Sequence, residues 1–437
     1  MAQPSAATYK IGLTTGVSIV VANMVGTGVF TSLGFQLFDI QSGFALLMLW
    51  AVGGLIALCG ALSYGELAAA MPRSGGEYHF LSRIYHPAIG FLSGWVSVTV
   101  GFAAPTALAA MALGKYAKSV WPPLQPEWLS IGVVLLLTAV HATSRQAGSR
   151  LQVAVTTLKV AVLVAFIGVG LLMATPQPIV FSPTASSWQE MLSPAFAVSL
   201  VYVSYAYSGW NAAVYLTGEV TEPQRNLPRI LLIGTAAVLL LYVALNFVFL
   251  YSTPIASLRG QVEVAFVAAT QLFGSMGGRL MGGMIAALLL STISSMIFAG
   301  PRVVQVMGED LPALAVLAKR SRAGIPVRAM LFQTALTLLF IITSTFEQVL
   351  LYAGFVLSLF TFLTVLGLFV LRVRQPDLPR PYRAWGYPIT PLLFLLLNGW
   401  TLWFIVHDKP TESLYGLLTV GIGLVVYFLS LRRQSAE

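Results

Sequence analysis

Apolar positions in this chain neither alternate nor recur at amphipathic spacing. They form long runs separated by short polar connections. Twelve such runs are read, at 11–33, 43–64, 88–114, 128–140, 151–173, 191–218, 230–251, 280–300, 329–343, 349–371, 389–406 and 414–431. A helix of about 20 apolar residues crosses the hydrocarbon of a bilayer. Helices and closed barrels are the structures that pair all their backbone groups there. The pattern therefore predicts an all-α polytopic membrane protein with twelve transmembrane helices. The fourth and ninth runs are short. A further apolar stretch, 261–273, is also short and holds Glu263, so it is assigned to the outer surface rather than to a span. The first run is about twice as long as the apolar region of a signal peptide, and reads as a retained span.

Composition agrees. Of 437 residues, 57% are hydrophobic and 9% charged, against roughly 25% charged in soluble domains. The net charge of +9 does not point to nucleic acid, because the basic residues lie in short loops between apolar runs. Eighteen of the 24 Lys and Arg residues fall on one set of loops, five on the other, and Lys159 lies inside a span. Basic loops stay in the cytoplasm, which predicts an inner-membrane protein embedded in lipid, with both termini cytoplasmic. Cys59 is the single cysteine and the four histidines are scattered. No metal site or cofactor is expected from them. Paired carboxylates or His/Asp clusters at membrane depth, which an enzyme would use, are absent from the sequence pattern. A channel would need a continuous polar pore, and a sensor that no longer transports would be expected to carry an added soluble domain.

Two spans hold glycines that a plain anchor does not need. The first reads Asn23-Met24-Val25-Gly26-Thr27-Gly28-Val29-Phe30, and the sixth reads Tyr205-Ala206-Tyr207-Ser208-Gly209-Trp210-Asn211. Each opens a five-span half, and interrupted helices at matching positions point to a transporter's binding site. A broken helix exposes unpaired N–H groups at one stump and unpaired C=O groups at the other. The N–H stump attracts a carboxylate and the C=O stump an ammonium group. An amino acid carries both charges on one carbon. The competing reading is that such glycines only let helices pack closely.

Four stretches carry a resemblance: 25–30; 60–67 continuing into Met71-Pro72-Arg73-Ser74-Gly75-Gly76-Glu77-Tyr78; 207–211 with Pro223-Gln224-Arg225-Asn226-Leu227-Pro228-Arg229; and 376–383 with Gly386-Tyr387-Pro388. The chain resembles the L-type amino acid transporter branch of the amino acid–polyamine–organocation superfamily. That resemblance implies a LeuT-type fold. Residues 11–173 and 191–371 would be inverted five-helix repeats, with 389–431 outside them, in one transporter domain. It implies a substrate site between the two breaks, formed by Val25, Gly26, Thr27 and Gly28 of the first and Tyr205, Ala206, Tyr207 and Gly209 of the sixth. The amides around Gly26, Thr27 and Gly28 would hold the carboxylate, and the carbonyls of Tyr205 and Ala206 the ammonium group. Tyr205 falls where many relatives have a gating phenylalanine, and Ser294 where some have asparagine. With Ser291, Thr292 and Ser295, Ser294 faces substrate or the fifth span, or these hydroxyls bond their own helix carbonyls.

Lys159 is the one charge deep in an apolar run. A mid-membrane lysine costs on the order of 3 kcal/mol on insertion scales, so it is expected to face the bundle interior. In the L-type branch a lysine on the fifth helix replaces a sodium ion and contacts the broken backbone of the first. The resemblance gives that role to Lys159, with Ser291 and Ser295 beside it. Glu66 and Glu219 fall at span ends and are expected to pair with Arg73 and Arg225. Animal relatives form a disulfide to a partner subunit from the loop between the third and fourth helices. Here that loop, 115–128, has no cysteine, so no disulfide-linked partner is expected. The functional expectation is sodium-independent exchange or facilitated transport of small or medium neutral L-amino acids. The alternative is proton-coupled symport through Lys159.

Overall fold

The computed structural model describes residues 11–434 except 74, 144–148, 311–314 and 322–324. The described residues are helical apart from connections and one isolated parallel bridge between Ile11 and Val220. The spans keep the numbers of the twelve apolar runs. Among the described residues, ten helices are long and apolar enough to cross a membrane, and counting the bent pair Ala185–Met191 and Pro194–Glu219, which meet at 65°, as one span makes eleven. Span 9, Val327–Thr343, has 17 residues and is shorter than the others. The protein is an all-α polytopic membrane protein.

Local chemistry sets the helix ends. Ser42, Thr184, Ser193 and Thr345 each accept an N–H of the following first turn, and Thr345 and Gln348 form a reciprocal capping box. Satisfying those first N–H groups matters where no water reaches them. Helix starts are placed earlier than apolarity alone suggests: span 4 is Pro126–Thr143 and span 7 is Pro223–Ser252. Their leading prolines suit the first turn, where an N–H is dispensable.

The stretch assigned to the outer surface rather than to a span forms a packed helix. It runs from Val264 to a kink at Gly274, where φ is 74°, and continues beyond the kink as span 8. Val264, Ala265, Ala268 and Ala269 are buried, and the Ala265 N–H donates to the Tyr116 phenol of span 3, Pro87–Val120, at 3.3 Å. Its small residues let it lie close against its neighbours, which short apolar runs do not reveal.

Span 2, Gly43–Ala70, packs along span 7, and span 3 along span 8; span 4 meets span 9. The window of span 3 is 72% buried, whereas those of spans 4, 5, 11 and 12 are 28% buried. Span 3 is thus central, and the other four present Leu, Val, Ile and Trp side chains outward as a lipid-facing surface.

Candidate functional site

Span 1 consists of two helices, Leu13–Met24 and Gly28–Gln36, joined by residues 25–27. Val25 leaves helical geometry with ψ of 78°, and the Gly26 N–H turns back to the Met24 carbonyl at 2.8 Å. The amides of Thr27, Gly28 and Val29 have no acceptor among the described residues. They head the second helix, whose dipole favours an anion.

Span 6 breaks in the complementary sense. Its first helix ends at Tyr207, Ser208 is extended at ψ of 154°, and Gly209 is left-handed at φ of 95°. A tighter 3₁₀ helix, Trp210–Glu219, follows. The Tyr205 carbonyl accepts the Ser208 N–H at 3.0 Å, while those of Ala206 and Tyr207 accept no backbone N–H from beyond the break among the described residues.

Glycine lets the two breaks interlock. A Cβ on Gly28 would collide with the Ala206 backbone, and one on Gly209 would lie 2.8 Å from the Asn23 carbonyl oxygen. Gly26 differs: a Cβ there meets only the Met24 oxygen, at 3.9 Å, and Gly26 is partly exposed. The space beside Gly26, next to the free amides, is therefore open. Gly28 is occupied by helix–helix contact, so the room for a carboxylate is not on its Cβ side.

The side chains around the breaks sort into facing and supporting groups. Tyr205 is buried, with its phenol facing the Thr27 side chain. Val25 is fully buried. Tyr207 turns away from the breaks: its phenol donates to the Trp50 carbonyl at 3.0 Å and its ring packs on Tyr242 at 5.0 Å. Tyr242 of span 7 then donates to the Met24 carbonyl at 2.6 Å. This phenol thus bonds the last turn of the first half of span 1, next to the break. Nothing in the run 230–251 singles it out.

Lys159 of span 5, Ser149–Met173, is 4% exposed, and its ammonium donates to the Thr292 hydroxyl of span 8 at 2.7 Å. Among the described residues it ties span 5 to span 8 and bonds no carbonyl of span 1. Ser294, expected at the substrate or the fifth span, instead lies 2.7 Å from His141 Nε2 of span 4. Ser295 donates to the Ser291 carbonyl within its own helix at 2.8 Å, and Ser291 is partly exposed. On a helix, residues 292 and 294 point about 200° apart, so one short run serves spans 4 and 5 at once.

At one end of the site, Phe35 stacks between Tyr202 and Phe346 at 5.8 Å on each side. The Tyr202 phenol donates to Glu347 at 2.6 Å, and Gly34 packs against the Gln261 backbone. At the other end, Ile11 exchanges backbone hydrogen bonds with Glu219 and Thr221 at 2.8 and 2.9 Å, joining the start of span 1 to the end of span 6. Glu66 there is fully buried and pairs with Arg372 at 2.6 Å and Arg380 at 3.5 Å, not with Arg73. It also accepts the Ala384 N–H at 2.7 Å. A chain distance of some 300 residues hides this partnership from the sequence.

Similarity to known proteins agrees with this architecture. A family model described as amino acid permease matches residues 11–429. The chain is 30% identical to the large neutral amino acids transporter small subunit 2 of Mus musculus, over 97% of this chain and 81% of that protein. The Homo sapiens counterpart gives the same figures. The b(0,+)-type amino acid transporter 1 of Mus musculus is 27% identical, over 96% and 87%. With its two interlocked helix breaks and this full-length match, the chain belongs to the amino acid permease family of the amino acid–polyamine–organocation superfamily, a family of transporters and not of enzymes.

Proposed function

We propose that this protein exchanges or facilitates the movement of small or medium neutral L-amino acids without sodium. The observation that carries the reading is the pair of opposed stumps. The free amides of Thr27, Gly28 and Val29 suit a carboxylate, and the open carbonyls of Ala206 and Tyr207 suit an ammonium group. Gly26 leaves room between them. Among the described residues, no Asp, Glu, Lys or Arg side chain bonds the residues of either break, which favours a neutral substrate side chain. Lys159, bound to Thr292, supplies a tethered ammonium between spans 5 and 8, which supports a cycle that needs no sodium.

The pairing of span 2 with 7, 3 with 8 and 4 with 9 supports two inverted five-helix repeats, 11–173 and 191–371, in a LeuT-type arrangement. The loop charges support cytoplasmic termini in an inner membrane. Cys59 is buried within span 2 and the loop 115–128 has no cysteine, which supports operation without a disulfide-linked partner. A second reading, proton-coupled symport, is favoured by the burial of Lys159 beside the Thr292 hydroxyl, an uncharged partner.

Uptake by purified protein in liposomes, with a panel of amino acids, tests the proposal. Internal amino acid should stimulate uptake, and amides or N-acetyl derivatives should not compete. Accumulation driven by an inward proton gradient would favour the second reading; a derivative lacking either charge that competes as well as its parent would overturn the site.

A further inference from the structure

Between spans 2 and 3 lies a nine-residue helix, Gly76–Ile84, outside the spans. Glu77 in its first turn is 6% exposed. Its Oε1 accepts the Tyr64 phenol of span 2 at 2.7 Å and the Asn211 carboxamide of span 6 at 2.9 Å. Asn211 stands two residues beyond the Gly209 break. The Tyr64 ring also packs edge-on against Trp210 at 4.6 Å, and Gly76, with φ of 54°, lets the Tyr215 ring lie where a Cβ would otherwise be. One carboxylate thus joins the connecting helix, span 2 and the second half of span 6.

We infer that Glu77 is a proton-binding site that clamps the second half of span 6, so that its protonation selects between conformations of the broken helix.

The surroundings of Glu77 are polar but uncharged. The ion pairs among the described residues do not include it. Tyr64 and Tyr215 are the titratable groups facing it from spans 2 and 6. Span 10, Phe346–Arg374, contributes the Thr364 hydroxyl, which bonds Tyr64 rather than Glu77. Arg374 of that span reaches the far end of the connecting helix, at the Ile84 carbonyl, 3.1 Å away. His79 on the same helix faces Arg73 and Arg83. Burial is therefore the largest influence and lifts the Glu77 carboxyl from 4.5 to about 7, against the Tyr64 and Asn211 donors, which pull the other way.

Linkage then fixes the sign. The packed arrangement binds a proton more tightly than any arrangement that exposes Glu77. Its advantage is complete below an ordinary carboxylate value and is lost as pH rises through about 7. An arrangement in which span 6 withdraws Asn211 is favoured by alkaline pH. Because the helix lies outside the spans, this proton site controls rate and conformation and does not carry charge across the membrane.

The inference rests on the transport reading only for its activity readout, so it is tested first without substrate. Backbone hydrogen exchange of 210–219, corrected for intrinsic rates, is followed in purified protein. Protection should fall by about threefold or more between about pH 6 and about pH 8 in the wild type, and stay level in Glu77→Gln. Tyr64→Phe removes a donor to the charged form and should raise the midpoint; it keeps the test open if Glu77→Gln fails to fold. A wild-type profile without a transition, or the same midpoint in Tyr64→Phe, overturns the proposal. In liposomes the exchange rate should follow the same pH profile. A pH-dependent segment in a protein that moves no amino acid would sink the transport reading and leave Glu77 standing.

Discussion

Gly209 rests on the backbone of Asn23, with its own φ at 95° and the Asn23 carbonyl oxygen 2.8 Å from where a Cβ would be. Two independent constraints, a left-handed backbone and a close approach, meet at this one residue. Gly28 against Ala206 is the reciprocal contact. Together they press the end of each helix half against the partner's break, which keeps free amides and free carbonyls within one small space.

This contact separates three glycines that look alike in sequence. Gly209→Ala should reduce transport about tenfold or more, since a strained backbone position costs of order 1–3 kcal/mol before the steric contact is counted. Gly28→Ala should also destabilise the protein, by displacing Ala206. Gly26→Ala should leave thermal stability within about 0.5 kcal/mol of wild type while raising the KM, because its Cβ points into open space. Melting temperatures and uptake kinetics of the three variants check the order. Equal loss of stability at Gly26 would remove it from the substrate space.

Transport is expected to be unchanged when choline replaces sodium at constant pH. Lys159→Ala should impair uptake more than expression, because the Thr292 contact joins spans 5 and 8 through that ammonium. Tyr242→Phe should slow uptake up to about tenfold, since one buried hydrogen bond contributes about 1 kcal/mol and this one holds the Met24 carbonyl. Sodium-driven accumulation would contradict the fixed-charge role.

Ser294→Ala should lower thermal stability by about 1 kcal/mol through loss of the His141 contact, with the KM unchanged. Uptake titrations on the purified variant give the KM. A raised KM would return Ser294 to the substrate.

Removing one partner from the buried Glu66 cluster should be severe. Glu66→Gln leaves Arg372 and Arg380 without their carboxylate and should cost about 3–5 kcal/mol of stability. Thermal denaturation in detergent measures it, with Arg73→Gln as the control expected to change little.

Much was legible from residue order alone. Long apolar runs dictate helices because a bilayer offers no other donors or acceptors, so the all-α spans followed directly. The breaks at 25–27 and 208–209 were also readable, since glycine pairs in mid-span signal local backbone freedom. Lys159 declared itself by the cost of a charge at that depth. What tertiary structure decided was partnership. Helix registry aims Thr292 at Lys159 and Ser294 at His141, although the two residues are near neighbours in sequence. Tyr242 reaches Met24, and Glu66 reaches Arg372, across separations of 218 and 306 residues. Local sequence specifies what each segment can form; which side chain satisfies a buried donor or acceptor depends on where the packed helices bring it, and that geometry is set only by the whole chain.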